Sequence, residues 1–457
     1  MGRIALLLAL ALGALPARAS DDDTVARLAE ALRFETVSPA DPADFRPEPF
    51  VAFRAFLAER FPLVHAQLER EVVGGHSLLY TWRGTGEATP ILLTAHYDVV
   101  PAAEETHDAW EHPPFAGVVA DGYVWGRGAL DDKFSVLATL EAVERLLGEG
   151  FTPARTVLLA FGHDEEIGGN AGAEAITAEL EARGVRAAWS LDEGMAVVAG
   201  ILPGLAAPAA MIGVAEKGYV QMEITARAAG GHSSLPPRQG AIGRLEAEPM
   251  PGHVETIAGQ TLDALSPRVE GVAGFALRNR RFLGPIVERV LSAKPATDAL
   301  LRTTTAVTMV RGGVKPNILP TSATATVNFR VLPGDTIEAI EAHARDAIDD
   351  PEVEIEIVRG SEASAVSSTD SEGYRALETA IGEVFPDAVP APGLVLGGTD
   401  SRHYARVADD AYRFGPLELT LDDTSRLHGV NERIAVSNYG KAIDFYATLI
   451  RGSAGPR

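Results

Sequence analysis

The chain has 457 residues, enough for two or three domains, and its 46% hydrophobic and 23% charged content is ordinary globular composition. A formal net charge of -23 argues against nucleic acid and anionic membrane surfaces as partners. There is no cysteine, which excludes disulfides and cysteine lipidation, and no low-complexity tract, heptad run or solenoid-length repeat interrupts the chain.

Residues 1–20 read as a secretory signal. Arg3 supplies the positive start, Ile4 to Leu15 form an apolar run too short to span a bilayer, and Ala17-Arg18-Ala19 has the small-x-small pattern of a cleavage site. This predicts export to the periplasm or the medium, without a membrane anchor. Over residues 24–70, Val25, Leu28 and Leu32, then Val51, Phe53, Phe56 and Leu57, recur at helical spacing. A Pro-rich stretch from Pro39 to Pro49 separates the two helices. Residues 77–83 alternate as a strand, and Ile91 to His96 follow as a buried one.

His96 and Asp98 stand two apart, so on an extended chain their side chains share a face. One can hold a metal while the other fixes the imidazole from behind. Alone, the pair reads equally well as the solvated end of a strand. Residues 102–130 are a long connection with a hairpin at Asp121 to Trp125. Gly126 to Lys133 is a glycine-rich loop whose Asp131 and Asp132 precede a helix, Phe134 to Leu147. Aspartates there are often only caps. A second apolar strand, 156–162, ends in His163-Asp164-Glu165-Glu166, and a helix is predicted over 171–183. A third strand, Trp189 onward, ends in Asp192-Glu193-Gly194. Strands alternating with helices predict an α/β domain with a mixed, mainly parallel sheet, whose functional groups collect at the strand C-termini.

Near residue 215 the pattern changes. Strands at 218–227, 304–311, 321–331 and 352–358, with helical segments over 240–300 and 335–348, form a βαββαβ unit, a smaller ferredoxin-like α+β domain. The predicted organisation is therefore a catalytic domain over 21–214 and 361–457, with a lid or dimerisation domain inserted over 215–360. The first domain resumes with a helix, then Gly393 to Tyr404, and finally Arg426 to Glu432.

His96, Asp98, Asp131, Glu165, Glu166, Asp192 and His428 make two imidazoles and several carboxylates at strand ends and loops. Without a cation they would push one another's carboxylate pKa values upward. Divalent metal removes that conflict. The nitrogen and oxygen donors suit zinc, with cobalt or manganese as substitutes, and their surplus fits two ions sharing one carboxylate.

Six stretches carry a family resemblance: His96 to Pro101, Gly126 to Lys133, Asp164-Glu165-Glu166, Leu191 to Gly194, Gly231-His232-Ser233 and His428-Gly429. Together they resemble the dizinc exopeptidases and aminoacylases, the family of aminoacylase, succinyl-diaminopimelate desuccinylase and carboxypeptidase G. Trp110 to Gly117 and Gly397 to Tyr404 look most like its carboxypeptidase S branch, which includes the secreted N-fatty-acyl-amino-acid synthase/hydrolase. The resemblance runs from about residue 24 to the end and is weakest over 245–300.

That resemblance implies two Zn²⁺ per subunit. His96 and Asp192 would hold one, Glu166 and His428 the other, and Asp131 would bridge them. Asp98 would orient His96, and Glu165 would be the general base for attack of a metal-bound hydroxide on an amide next to a free carboxylate. It implies a cis Asp131–Asp132 peptide, and an oxyanion role for His232, supplied from the inserted domain across a homodimer. By composition alone His232 is an exposed loop residue. Asn317 and Arg330 match positions that bind the substrate carboxylate in relatives; Arg402 and His403 are weaker candidates for the same pocket. The substrate is then a peptide losing its C-terminal residue or an N-acyl amino acid. The competing readings are a catalytically silent binding scaffold on the same fold and a structural oligomerisation module.

Overall fold

The computed structural model describes residues 21–202, 204–228, 231–232, 250–253, 256–420 and 422–456. The expected signal segment lies outside them. Among the described residues no helix is long and apolar enough to cross a membrane.

Two sheets organise the chain. The large one takes β1 (Glu69–Val73), β2 (Ser77–Trp82), β3 (Ile91–His96), β4 (Val157–Gly162), β5 (Trp189–Asp192), β6 (Val197–Val198) and β7 (Ala209–Glu216) from the first part of the chain. The small one takes β8 (Gly218–Arg227), β9 (Thr304–Gly312), β10 (Ser322–Val331) and β11 (Val353–Ser361). The chain then returns to the large sheet with β12 (Val389–Val395), β13 (Ala411–Arg413) and β14 (Glu418–Leu419). The large-sheet order is β1-β2-β4-β3-β5-β13-β7-β6-β14, with β12 beside β7.

At its centre β3 runs parallel to both β4 and β5, in registers that bring His96 opposite Gly162 and Leu93 opposite Leu191. Three neighbouring strands therefore end together, and each is buried along its whole length, as parallel strands covered on both faces must be. The small sheet is antiparallel, in the order β9-β10-β8-β11. In β8, buried and half-buried residues alternate, which is the pattern of a sheet with one packed face.

The helices are α1 (Asp21–Ala31), α2 (Glu48–Arg60), α3 (Lys133–Gly148), α4 (Ala173–Ala182), α5 (Ile257–Leu265), α6 (Gly271–Arg278), α7 (Arg280–Leu291), α8 (Ile337–Ile348), α9 (Glu372–Val384) and α10 (Val436–Ala454). Helix α3 is buried almost all round, as expected of a helix enclosed on every side, here by β3, α1 and α10. Ser371 caps α9 by accepting the Tyr374 N–H at 3.0 Å, and Thr336 caps α8 by accepting that of Ala339 at 3.1 Å. The large sheet and α1–α3, α9 and α10 share one apolar core. The small sheet and α8 have another, built on Val220, Met222, Ile224, Val327, Phe329 and Ile340.

Two strands depart from the sequence reading. Ala209 to Glu216 is a fully buried strand just where the sequence reading has only a change of pattern. Val389 to Val395 is a strand despite Pro390 and Pro392. It pairs on one side only, with β7, so the missing proline N–H groups fall on a free edge.

Candidate metal centre

The joint ending of β3, β4 and β5 gathers the first groups. His96 is the last residue of β3 and is 1% exposed; Asp98 follows it and is fully buried. The His96 Nδ1 faces Asp98 twice, its Oδ1 at 3.3 Å and its backbone oxygen at 3.1 Å. That leaves Nε2 to point outward. Asp98 in turn accepts the backbone N–H groups of Glu165 and Glu166, each at 3.2 Å. One carboxylate thus ties the end of β3 to the loop after β4.

Asp131 lies between the two histidines. Its Oδ1 is 3.0 Å from His96 Nε2, and its Oδ2 is 3.0 Å from His428 Nε2. Glu166 Oε2 stands 3.1 Å from His428 Nε2, and Glu193 Oε1 3.3 Å from His96 Nε2. The Asp131–Asp132 peptide is cis. Two groupings have donors close enough to share an ion: His96, Asp131 and Glu166, and His96, Asp132 and Glu193.

The electrostatics are those of crowded acids set against two imidazoles. Burial disfavours charge on His96, yet Glu193, Asp131 and Asp98 hold its pKa well above the usual imidazole value. Hydrogen bonds to Asp131 and Glu166 push His428 up to about 10. Burial pulls against ionisation of Asp131, but the two histidines win and keep its carboxyl well below the usual range. Burial raises Glu165 strongly, Glu166 too, and Glu193 to about 7. A divalent cation would neutralise the same acids. Glu166 Oε1 is buried without a hydrogen-bond partner, which a cation would supply. The donor set fits a metal.

The adjacent cation does not compete for this place. Lys133 is fully buried and turns away, donating to the backbone oxygens of Phe34 at 2.5 Å and Ala31 at 3.3 Å. Burial lowers its pKa to about 7.

Not every expected residue joins the cluster. Asp192 is expected beside His96; the carboxylate that stands 3.3 Å from His96 Nε2 is that of its neighbour Glu193, while Asp192 Oδ2 is buried without a hydrogen-bond partner. Asp192 is the last residue of β5 and is buried, and its charge is felt at Glu193 as well as at Arg413 and Asp400. His403 faces Glu174 Oε2 with Nδ1 at 2.9 Å and the Gly168 oxygen with Nε2 at 3.0 Å, so neither ring nitrogen is left for a substrate. Arg402 donates Nε–H to the Thr399 oxygen at 2.8 Å and stands 3.8 Å from Glu216. Arg330 lies on β10 with its guanidinium over the Tyr219 ring at 5.1 Å, and Asn317 is exposed in a turn of the small domain. His232 pairs with Ile318 in a two-residue ladder.

Three residues to which the sequence reading gives no role support the cluster. Glu432 is fully buried and accepts from Leu130 N at 2.7 Å, Asp131 N at 3.2 Å and Arg127 Nη1 at 2.6 Å. Arg127 also donates to the His428 backbone oxygen at 3.1 Å, so one ion pair fixes both the Asp131 and the His428 loops. Asp400 is buried against the turn after Glu166. A side chain at Gly169, where φ is +68°, would collide with its carboxylate. The signal was available for Arg127 and Glu432, which flank the motifs, but their pairing spans 305 residues.

Comparison with known proteins is consistent with this geometry. Residues 92–452 match the model of peptidase family M20/M25/M40. The chain is 41% identical over 449 residues to a probable carboxypeptidase S-like protein 2 of Dictyostelium discoideum, covering 95% of this chain and 86% of that one. It is 38% identical over 460 residues to the N-fatty-acyl-amino acid synthase/hydrolase PM20D1 of Mus musculus, covering 96% and 90%. Among solved structures, the M20 family metallo-carboxypeptidase Sso-CP2 of Sulfolobus solfataricus superposes with a TM-score of 0.66 at 18% identity, covering 94% of this chain and 98% of that one.

Proposed function

The chain belongs to the M20/M25/M40 peptidase family, as a peptidase/amidohydrolase of its carboxypeptidase S-like branch, and we propose that it cleaves an amide bond next to a free carboxylate. The substrate is the C-terminal residue of a peptide or an N-acyl amino acid, the two kinds of chemistry named for its relatives carboxypeptidase S and PM20D1. The observation that carries this reading is Asp131, whose two oxygens each stand 3.0 Å from a different imidazole.

Two zinc ions would be held, one by His96 with Asp192 or its neighbour Glu193, the other by His428 and Glu166, with Asp131 common to both sets. When bound, such a pair supplies Lewis acidity toward an amide carbonyl and toward water. The protein's own part follows from its side chains. Asp98 holds His96 in one orientation and pins the Glu165 backbone. Glu165, whose backbone is fixed beside the cluster, would take a proton and return it. It removes the proton from the attacking water and delivers it to the departing amine. Residues 215–360 act as a lid and dimerisation unit, Arg330 and Asn317 recognise the substrate carboxylate, and His232 stabilises the oxyanion across a homodimer. Residues 1–20 direct export.

The test is a screen of zinc-loaded protein against dipeptides and N-acyl amino acids, with metal content measured alongside. Glu165→Ala is expected to keep its metal and lose on the order of 10²–10⁴ in kcat. Normal turnover by that variant sinks the assignment of the base. Mixing His232→Ala with Glu165→Ala subunits is expected to restore activity in mixed dimers, and no recovery counts against a role across the interface.

A further inference from the structure

Helices α6 and α7 carry apolar side chains on two faces. Leu277 and Val287 turn inward and join Leu262, Leu265 and Val269 in a small cluster beside β7 and β12. The other face is turned to water: Val272 is 85% exposed, Phe275 60%, Phe282 88%, Ile286 59% and Val290 66%. On α7, Phe282, Ile286 and Val290 stand four residues apart and form one stripe. A stripe of large apolar residues left in water is the mark of an interaction surface.

We propose that this helical hairpin docks on an anionic lipid surface. Local charge supports the choice of occupant. Within a chain of net charge -23, residues 268–294 hold six Arg or Lys (268, 278, 280, 281, 289 and 294) against two Glu (270 and 288). Arg281, Arg289 and Lys294 are exposed and, among the described residues, make no ion pair. Exposed aromatic and branched side chains beside unpaired arginines are the composition of an interfacial helix. A second copy of this chain is a poorer occupant. A two-fold contact through the stripe would set these arginines against their own copies. The net charge of the whole chain, which argues against anionic membranes, is not the charge this face presents.

The test is co-sedimentation of the full chain with phosphatidylcholine vesicles, with and without phosphatidylglycerol. The protein is expected to sediment with the anionic vesicles and to be released as salt is raised. Phe275→Ser, Phe282→Ser and Ile286→Ser combined, and separately Arg281→Glu with Arg289→Glu, are each expected to weaken partitioning at least about tenfold. All five positions are on the outer surface, so unchanged circular dichroism and melting check the fold. No binding to anionic vesicles, or equal binding to both kinds, overturns the proposal. So does a concentration-dependent dimer of the wild type that the triple Ser variant abolishes, which would assign the stripe to a second copy.

Discussion

The strand ends of the large sheet and the α6–α7 hairpin solve opposite problems. At the strand ends, charge is buried. His96, Asp98 and Asp131 are held in place by one another and by backbone N–H groups. On the hairpin, charge is in water and apolar surface is exposed with it. The first arrangement demands exact partners, because a buried ion without one costs several kcal/mol. The second demands none until something covers it. Substitutions at the cluster should therefore act through loss of a particular partner, whereas those on the outer hairpin face should leave the folded chain almost untouched.

The sharpest break of that contrast lies between two adjacent acids. If Glu193 is the group that faces the ion, Glu193→Ala loses bound metal and at least about 100-fold in kcat/KM. Asp192→Asn is then expected to keep its metal, since it leaves the Glu193 carboxylate beside His96 in place. Metal content of the two purified variants decides this. The reverse pattern would return the ligand role to Asp192.

That pair also shows what the sequence could and could not disclose. His96, Asp98, Asp131 and Glu166 were legible because each follows a long apolar run or opens a long helix, so the strand ends could be counted and the acids placed there. Which of Asp192 and Glu193 faces the ion was not, since the two acids stand side by side at the end of β5. The partner that His403 meets, Glu174, comes from α4, 229 residues away, and that pairing was not legible either. The α6–α7 hairpin was legible as helical, but amphipathic spacing says only that one face is packed, and here both faces are apolar.

Between the two sheets sits Lys217, alone between β7 and β8. It is 4% exposed and donates Nζ–H to the Arg302 backbone oxygen at 2.6 Å. Burial lowers its pKa to about 8. The sign follows from a cation disfavoured in the fold: stability from this group is highest above its unfolded value near 10.5, falls as pH drops toward 8, and is constant below. The full penalty approaches about 3 kcal/mol. Lys217→Met is expected to flatten the part of the melting profile between pH 8 and 10.5, as read by thermal melts across that range. An unchanged slope would show that the joint is wetter than its burial implies.

Arg127 tests whether the cluster needs its outer supports. Arg127→Met removes the bonds to Glu432 and to the His428 backbone oxygen while leaving every proposed ligand side chain in place. Competition with a chelator is expected to show metal affinity weakened about 10–100-fold, the usual cost of losing such a support. An unchanged affinity would mean that the Asp131 and His428 loops hold their places without the ion pair.

The smallest effect is the most telling about the hairpin. Phe282→Ser removes the most exposed of the large apolar side chains on that face, and the melting temperature is expected to move by no more than about 0.5 kcal/mol of stability allows. The same change at Leu277 would strip a packed face and leave a cavity beside Leu265 and Val269, at a cost of about 2–5 kcal/mol on the scale of buried leucines. If Phe282→Ser were as costly as the change at Leu277, the outer stripe would already be covered within the chain. It would then belong to the core and not to the surface, and the opposition between the two regions would collapse.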